Sequence, residues 1–230
     1  MPKGNSHNSL KRGKSTQDLQ RRSGNKNSRN YILIVVEGEE TEYNYVCALK
    51  HELELSTVDI KVVPAYGGDP LVTVNEAEKL CQENERNSNR GNTVRFDKVF
   101  CIFDDDNKPK KYQEALPKAQ KNGFETITSI PCFEFWFLLH YCYTTSPFAN
   151  YKELCPKLET EMIKAGVLKK GELYNKSDKE LYKKLKSQQD NAIKHAVRLE
   201  KNHPNEDGCT NPSTKVHIFV QELQKQKQFK

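Results

Sequence analysis

Short apolar runs alternate along this chain with longer stretches in which apolar residues return every third or fourth position. "YILIVVEG" (31–38) is a continuous β-branched run, short enough for a strand buried on both faces and closed by Gly38. "TEYNYVCALKHELEL" places Tyr45, Val46, Leu49 and Leu53 at helical spacing, with Thr41 as the expected cap. "TVDIKVVPAY" reads as a second strand. "GGDPLVTVNEAEKLCQENERN" reads as a helix capped by Asp69, with Pro70 at its first position. "KVFCIF" is a third strand, residues 109–122 are a helix ending at Gly123, and "FETITSI" is a fourth strand closed by Pro131. "CFEFWFLLHYC" is apolar on nearly every side, as expected of a helix packed inside a domain.

Strands and helices in alternation predict an α/β fold, a mostly parallel sheet with helices on both faces. After about residue 146 the strand patterns stop. "YKELCPKLETEMIKAGVL", "SDKELYKKLKSQQDNAIKHAVRLEKN" and "NPSTKVHIFVQELQKQK" all have helical spacing, and the last is expected to begin with Asn211 as cap and Pro212 behind it. The predicted organisation is a flexible basic arm (1–29), an α/β domain (30–146) and a helical C-terminal region (147–230) packed on it.

Charge sharpens that division. The net charge is +6, yet the first 29 residues hold eight Lys/Arg against one Asp, so the remainder is close to neutral. The arm is poor in apolar residues and reads either as a phosphate-binding extension or as a solvated tail. Mean hydropathy is −0.86, and no run approaches the roughly 18 apolar residues of a membrane span. The basic N-terminus lacks the apolar stretch of a secretory signal. Seven cysteines, an odd number without C-x-x-C spacing, suggest free thiols in a reducing cytoplasm rather than disulfides or a structural zinc. The P-loop pattern G-x-x-x-x-G-K-[ST] does not occur in the sequence.

The candidate chemistry lies in acidic residues at strand ends. In a parallel sheet the carboxyl ends of the strands share one edge, where ligand sites form. Glu37 ends the first strand, Asp104, Asp105 and Asp106 end the third in "VFCIFDDDNK", and Glu134 lies just past the fourth. Period-two alternation puts Asp104 and Asp106 on one side and Asp105 on the other. Such carboxylates suit one or two Mg2+ ions. The plainer readings are a solvated turn for the aspartates, a helix cap for Glu37, and a buried pair with Lys, Arg or His140 for Glu134. Trp136 and its Phe neighbours read as core. Gly67-Gly68 and Lys176 are weaker phosphate-facing candidates, with a simple turn and a surface lysine as their plain alternatives.

"ILIVVEGEETEYNY", "VFCIFDDDNK", "SIPCFEFWFLLHY" and "NPSTKVH" together resemble the RloB family, proteins of restriction-linked and abortive-infection phage-defence loci. The resemblance implies a Toprim-like fold, with Glu37 as general acid/base, Asp104 and Asp106 as Mg2+ ligands, and Glu134 as a further ligand. Mn2+ is the expected substitute. It also implies an ABC/AAA-type ATPase partner encoded alongside, and a metal-dependent endonuclease acting on DNA or RNA, possible tRNA included. Asn107 and Lys108 depart from the Gly or Pro usual near this motif in topoisomerases, which argues against a topoisomerase or primase. The alternative is a non-catalytic adaptor or nucleic-acid-binding subunit of the ATPase complex.

Overall fold

The structure is a computed structural model that describes residues 30–55, 58–105, 109–202 and 210–227, with Val58 and Asp59 described by their backbone alone. The basic arm and Asp106 lie outside the described residues. Strands β1 (Asn30–Val36), β2 (Val58–Pro64), β3 (Lys98–Asp104), β4 (Glu125–Ile130) and β5 (Ser213–Thr214) form one sheet in the order β2-β1-β3-β4-β5. The first four are parallel, and β5 is antiparallel to β4. Helices α1 (Thr41–Leu53), α2 (Pro70–Asn89), α3 (Pro109–Lys121) and α4 (Glu134–Leu139) follow the four parallel strands in turn. Helices α5 (Tyr151–Lys164), α6 (Leu181–Leu185), α7 (Gln189–Asn202) and α8 (Val216–Lys227) complete the chain.

The apolar runs are continuous because β1 and β3 are covered on both faces. Ile32, Ile34 and Val36 share a core with α1, α4 and the C-terminal helices, together with Phe100 and Ile102 of β3. Leu33, Val35, Cys101 and Phe103 face the opposite way, against Val74 and Ala77 of α2 and Tyr112 and Ala115 of α3. Each buried Val, Leu, Ile or Phe among them stabilises the fold by roughly 1.5–3 kcal/mol. The C-terminal helices are thus one wall of the larger core, and β5 ties them to the sheet.

Some local expectations change. The strands do not stop at residue 146, because Ser213 and Thr214 pair with Ile130 and Ser129. Asn211 caps no helix. Its side chain donates to the Phe148 carbonyl and accepts from the Phe148 N–H, which fastens the connection before α5. The stretch with helical spacing between Ser177 and Asn202 becomes helical at Leu181, and a 3₁₀ turn at Lys186–Gln188 separates α6 from α7. Among the described residues no helix is long and apolar enough to cross a membrane, and six cysteines are free thiols.

The order β2-β1-β3 means that the chain leaves β1 on one side and returns on the other. Beyond the carboxyl ends of β1 and β3, their helices diverge to opposite faces and open a crevice.

Candidate functional site

Glu37 directly follows β1, Asp104 is the last residue of β3, and Glu134 opens α4 just beyond β4. These strands are neighbours, so residues 97 positions apart in sequence meet at one edge. The Glu37 N–H donates to the Ile102 carbonyl at 2.9 Å, extending the β1–β3 ladder by one bond. Glu37 Oε2 in turn accepts the Asp104 N–H at 3.0 Å. Asp104 continues the parity of Phe100 and Ile102, and its Oδ2 accepts the Phe133 N–H at 2.6 Å. The other oxygen, Oδ1, is buried with no hydrogen-bond partner.

These residues line a cavity of about 270 Å³ together with Gly38, Glu42, Gly68, Cys132, Tyr151 and Lys176. Sequence reasoning missed Glu42. It lies in the first turn of α1, where a glutamate is usually solvated, yet it is buried. Gly38 makes room for it: a Cβ there would lie 2.2 Å from Glu42 Oε2. Thr41 supplies no cap, and its hydroxyl instead donates to Glu134 Oε1 at 3.4 Å.

Four buried carboxylates thus line one cavity. Burial, then the charges of Glu134 and Glu37, push Glu42 from 4.5 up to about 7. Burial, then Glu42, Glu37 and Glu134, push Asp104 well above the usual aspartate range, against the pull of the Phe133 N–H. The cation among them is Lys176, whose Nζ lies 3.2 Å from Glu134 Oε1 and 3.7 Å from the centre of the Tyr151 ring. Burial disfavours its charge, but Glu134 outweighs that and raises its pKa above the ordinary lysine value. The plain reading of Glu134, a buried pair with a base, is therefore realised by Lys176.

The donors are all hard oxygens, which suits Mg2+, Mn2+ or Ca2+ better than a soft metal. Among the described residues, no group of three or more His, Cys, Asp or Glu is arranged to hold an ion by itself. Mg2+ asks for less, since it usually takes one or two protein carboxylates and completes its shell with water and phosphate. The orphaned Asp104 Oδ1, beside Glu37 and Glu42, fits that requirement.

Glu37, Asp104 and Glu134 thus meet as the sequence reading expects, with Glu42 as a fourth member. Asp106 lies outside the described residues. Gly68 and Lys176, the weaker candidates, both line the same cavity. His140 belongs to the core: its Nδ1 is 3.0 Å from the Trp136 carbonyl, and burial lowers its pKa to about 4. Trp136 is wholly buried and donates from Nε1 to the Tyr45 hydroxyl at 2.9 Å.

No curated protein matches the chain, and no solved structure does. The family model described as RloB-like protein matches residues 32–223, a span that takes in all five strands except the first two residues of β1, and every residue lining the carboxylate cavity. The chain belongs to the RloB-like family.

Proposed function

We propose that this protein is a Toprim-like, divalent-cation-dependent nuclease effector of antiphage defence, controlled by an ABC/AAA-type ATPase partner. The observation that carries the reading is the shared cavity of Glu37, Glu42, Asp104 and Glu134 with a buried, unpartnered Asp104 oxygen. Four carboxylates crowded into one cavity repel one another and cost stability, which is common at catalytic sites. The lack of a P-loop pattern agrees with ATP hydrolysis residing in a partner.

Asp104 and Glu37 would hold Mg2+, or Mn2+ in its place, with Glu134 and Asp106 as further ligands. When bound, the ion supplies charge neutralisation at the scissile phosphate and an activated water. Asp104 is oriented for this by the Phe133 N–H and buttressed through its own N–H by Glu37. In hydrolysis, water adds to phosphorus, the P–O bond to the leaving sugar breaks, and the leaving oxygen takes up a proton. Glu37 is the acid/base that the family resemblance implies, and burial favours the protonated form of its neighbour Glu42 in the metal-free site. Lys176 faces the same cavity and can meet a non-bridging phosphate oxygen.

A second reading is favoured by the Lys176–Glu134 pair, which neutralises the most buried carboxylate without any metal. On that reading the chain is a non-catalytic adaptor or nucleic-acid-binding subunit of the ATPase complex. Phage protection separates the two. With the neighbouring ATPase co-expressed, Asp104→Asn and Glu37→Gln proteins that remain folded should fail to protect cells. Undiminished protection would exclude the nuclease reading and leave the adaptor.

A further inference from the structure

Tyr66 is 74% exposed, more than any other large hydrophobic side chain among the described residues, although the backbone on both sides of it is fixed. Ala65 is buried, and its N–H donates to the Val36 carbonyl at 2.8 Å, which ties the turn to the last residue before Glu37. On the other side Gly67 and Gly68 take φ of 140° and 54°, a route closed to most residues. Asp69 then caps α2 by accepting the Val72 N–H at 3.0 Å. The ring is therefore held out by an anchored turn.

That turn borders the carboxylate cavity. Gly68 is one of its lining residues, and two residues of chain span at most about 7 Å. Tyr43, one residue after Glu42 in α1, is partly buried against the larger core. The turn beside Gly68 therefore carries one open tyrosine, Tyr66, near the cavity.

An open aromatic ring next to a phosphodiester site offers a π-face to a nucleobase. In a continuous duplex both faces of every base are already covered by neighbours. Only a base in a single strand, loop, bulge or flipped position has a face to give. We propose that Tyr66 is a stacking platform for an unpaired base beside the phosphate held in the cavity, so that the substrate is single-stranded or looped nucleic acid. This inference rests on the nuclease reading above and narrows its substrate.

The test uses the full chain with Ca2+ in place of Mg2+, to keep strands uncut. Three probes of about twelve nucleotides are compared: a single strand, its duplex, and an abasic strand carrying the same phosphates. Trp136, the single native tryptophan, is buried in the core, so the indole in Tyr66→Trp reports on the rim alone. Its emission should be quenched by the single strand and by neither other probe. Tyr66→Ala should weaken single-strand binding about tenfold, and Tyr66→Phe should retain it. Equal quenching by the abasic strand, or unchanged affinity in Tyr66→Ala, overturns the platform while leaving the nuclease reading intact. A change of oligomeric state in Tyr66→Ala with nucleic-acid affinity unchanged also overturns it, and assigns the ring to a protein contact. No binding of any probe by the unaltered chain overturns both readings.

Discussion

Replacing Glu42 by Gln should make the metal-free protein more stable, and by an amount that depends on pH. The folded chain keeps the Glu42 proton up to about pH 7, whereas the unfolded chain releases it near 4.5. The native state therefore binds more protons across that interval, and stability falls as pH rises through it. Below pH 4.5 both states are protonated and the penalty vanishes. Each pH unit corresponds to about 1.4 kcal/mol, so the full interval amounts to about 3 kcal/mol. For a chain of this size that is about 6–12 °C in Tm. Thermal unfolding in EDTA should show wild type and Glu42→Gln nearly together at pH 4.5, and the variant higher by that margin at pH 8. Removing this charge also relieves Asp104, on which Glu42 is the largest neighbouring influence after burial. Added Mg2+ should narrow the gap at pH 8, because a bound cation offsets the Glu42 charge that the wild type alone carries. A variant less stable than wild type at pH 8, or a gap that does not change with pH, would refute the reasoning.

Gly38→Ala should move the Glu42 carboxylate out of the cavity, because the new Cβ would sit 2.2 Å from Oε2 and 3.1 Å from Cδ. Its pH–stability profile should then shift toward that of Glu42→Gln, which the same thermal series reads. Lys176→Met leaves Glu134 buried without its cation. Since the lysine side chain is 43% exposed, the loss should be about 1–2 kcal/mol in urea unfolding, short of the full cost of breaking a wholly buried pair. Tyr45→Phe strands the Trp136 Nε1–H, now bonded at 2.9 Å in the core. It should lower stability by about 1–3 kcal/mol in the same unfolding assay and leave Mn2+ affinity unchanged.

The parts of this fold legible in sequence are those written in several consecutive residues. Ile32–Val36 and Val99–Phe103 announce strands buried on both faces, and the acidic residues closing them follow from the shared edge of a parallel sheet. Glu42 was not legible, because at the start of an amphipathic helix it reads as solvated. Its one signal is Gly38, whose missing Cβ leaves room for the carboxylate to fold back. Lys176 reaches Glu134 from 42 residues away on a connecting segment with no periodicity. Strand β5 has two residues, too few to show an alternation, and its place is set by Thr214 meeting Ser129, hydroxyl to hydroxyl, at 3.0 Å. The break at Lys186–Gln188 carries neither proline nor glycine, so nothing local marks it.

Calorimetric titration of Mn2+ into the purified full chain tests the central claim most directly, since it needs neither nucleic acid nor ATPase. Saturable binding to the wild type, lost in Asp104→Asn and weakened in Glu37→Gln with both variants folded by circular dichroism, is the predicted result. Absence of binding, or binding indifferent to both substitutions, would contradict a divalent-cation site at this sheet edge and favour the adaptor reading.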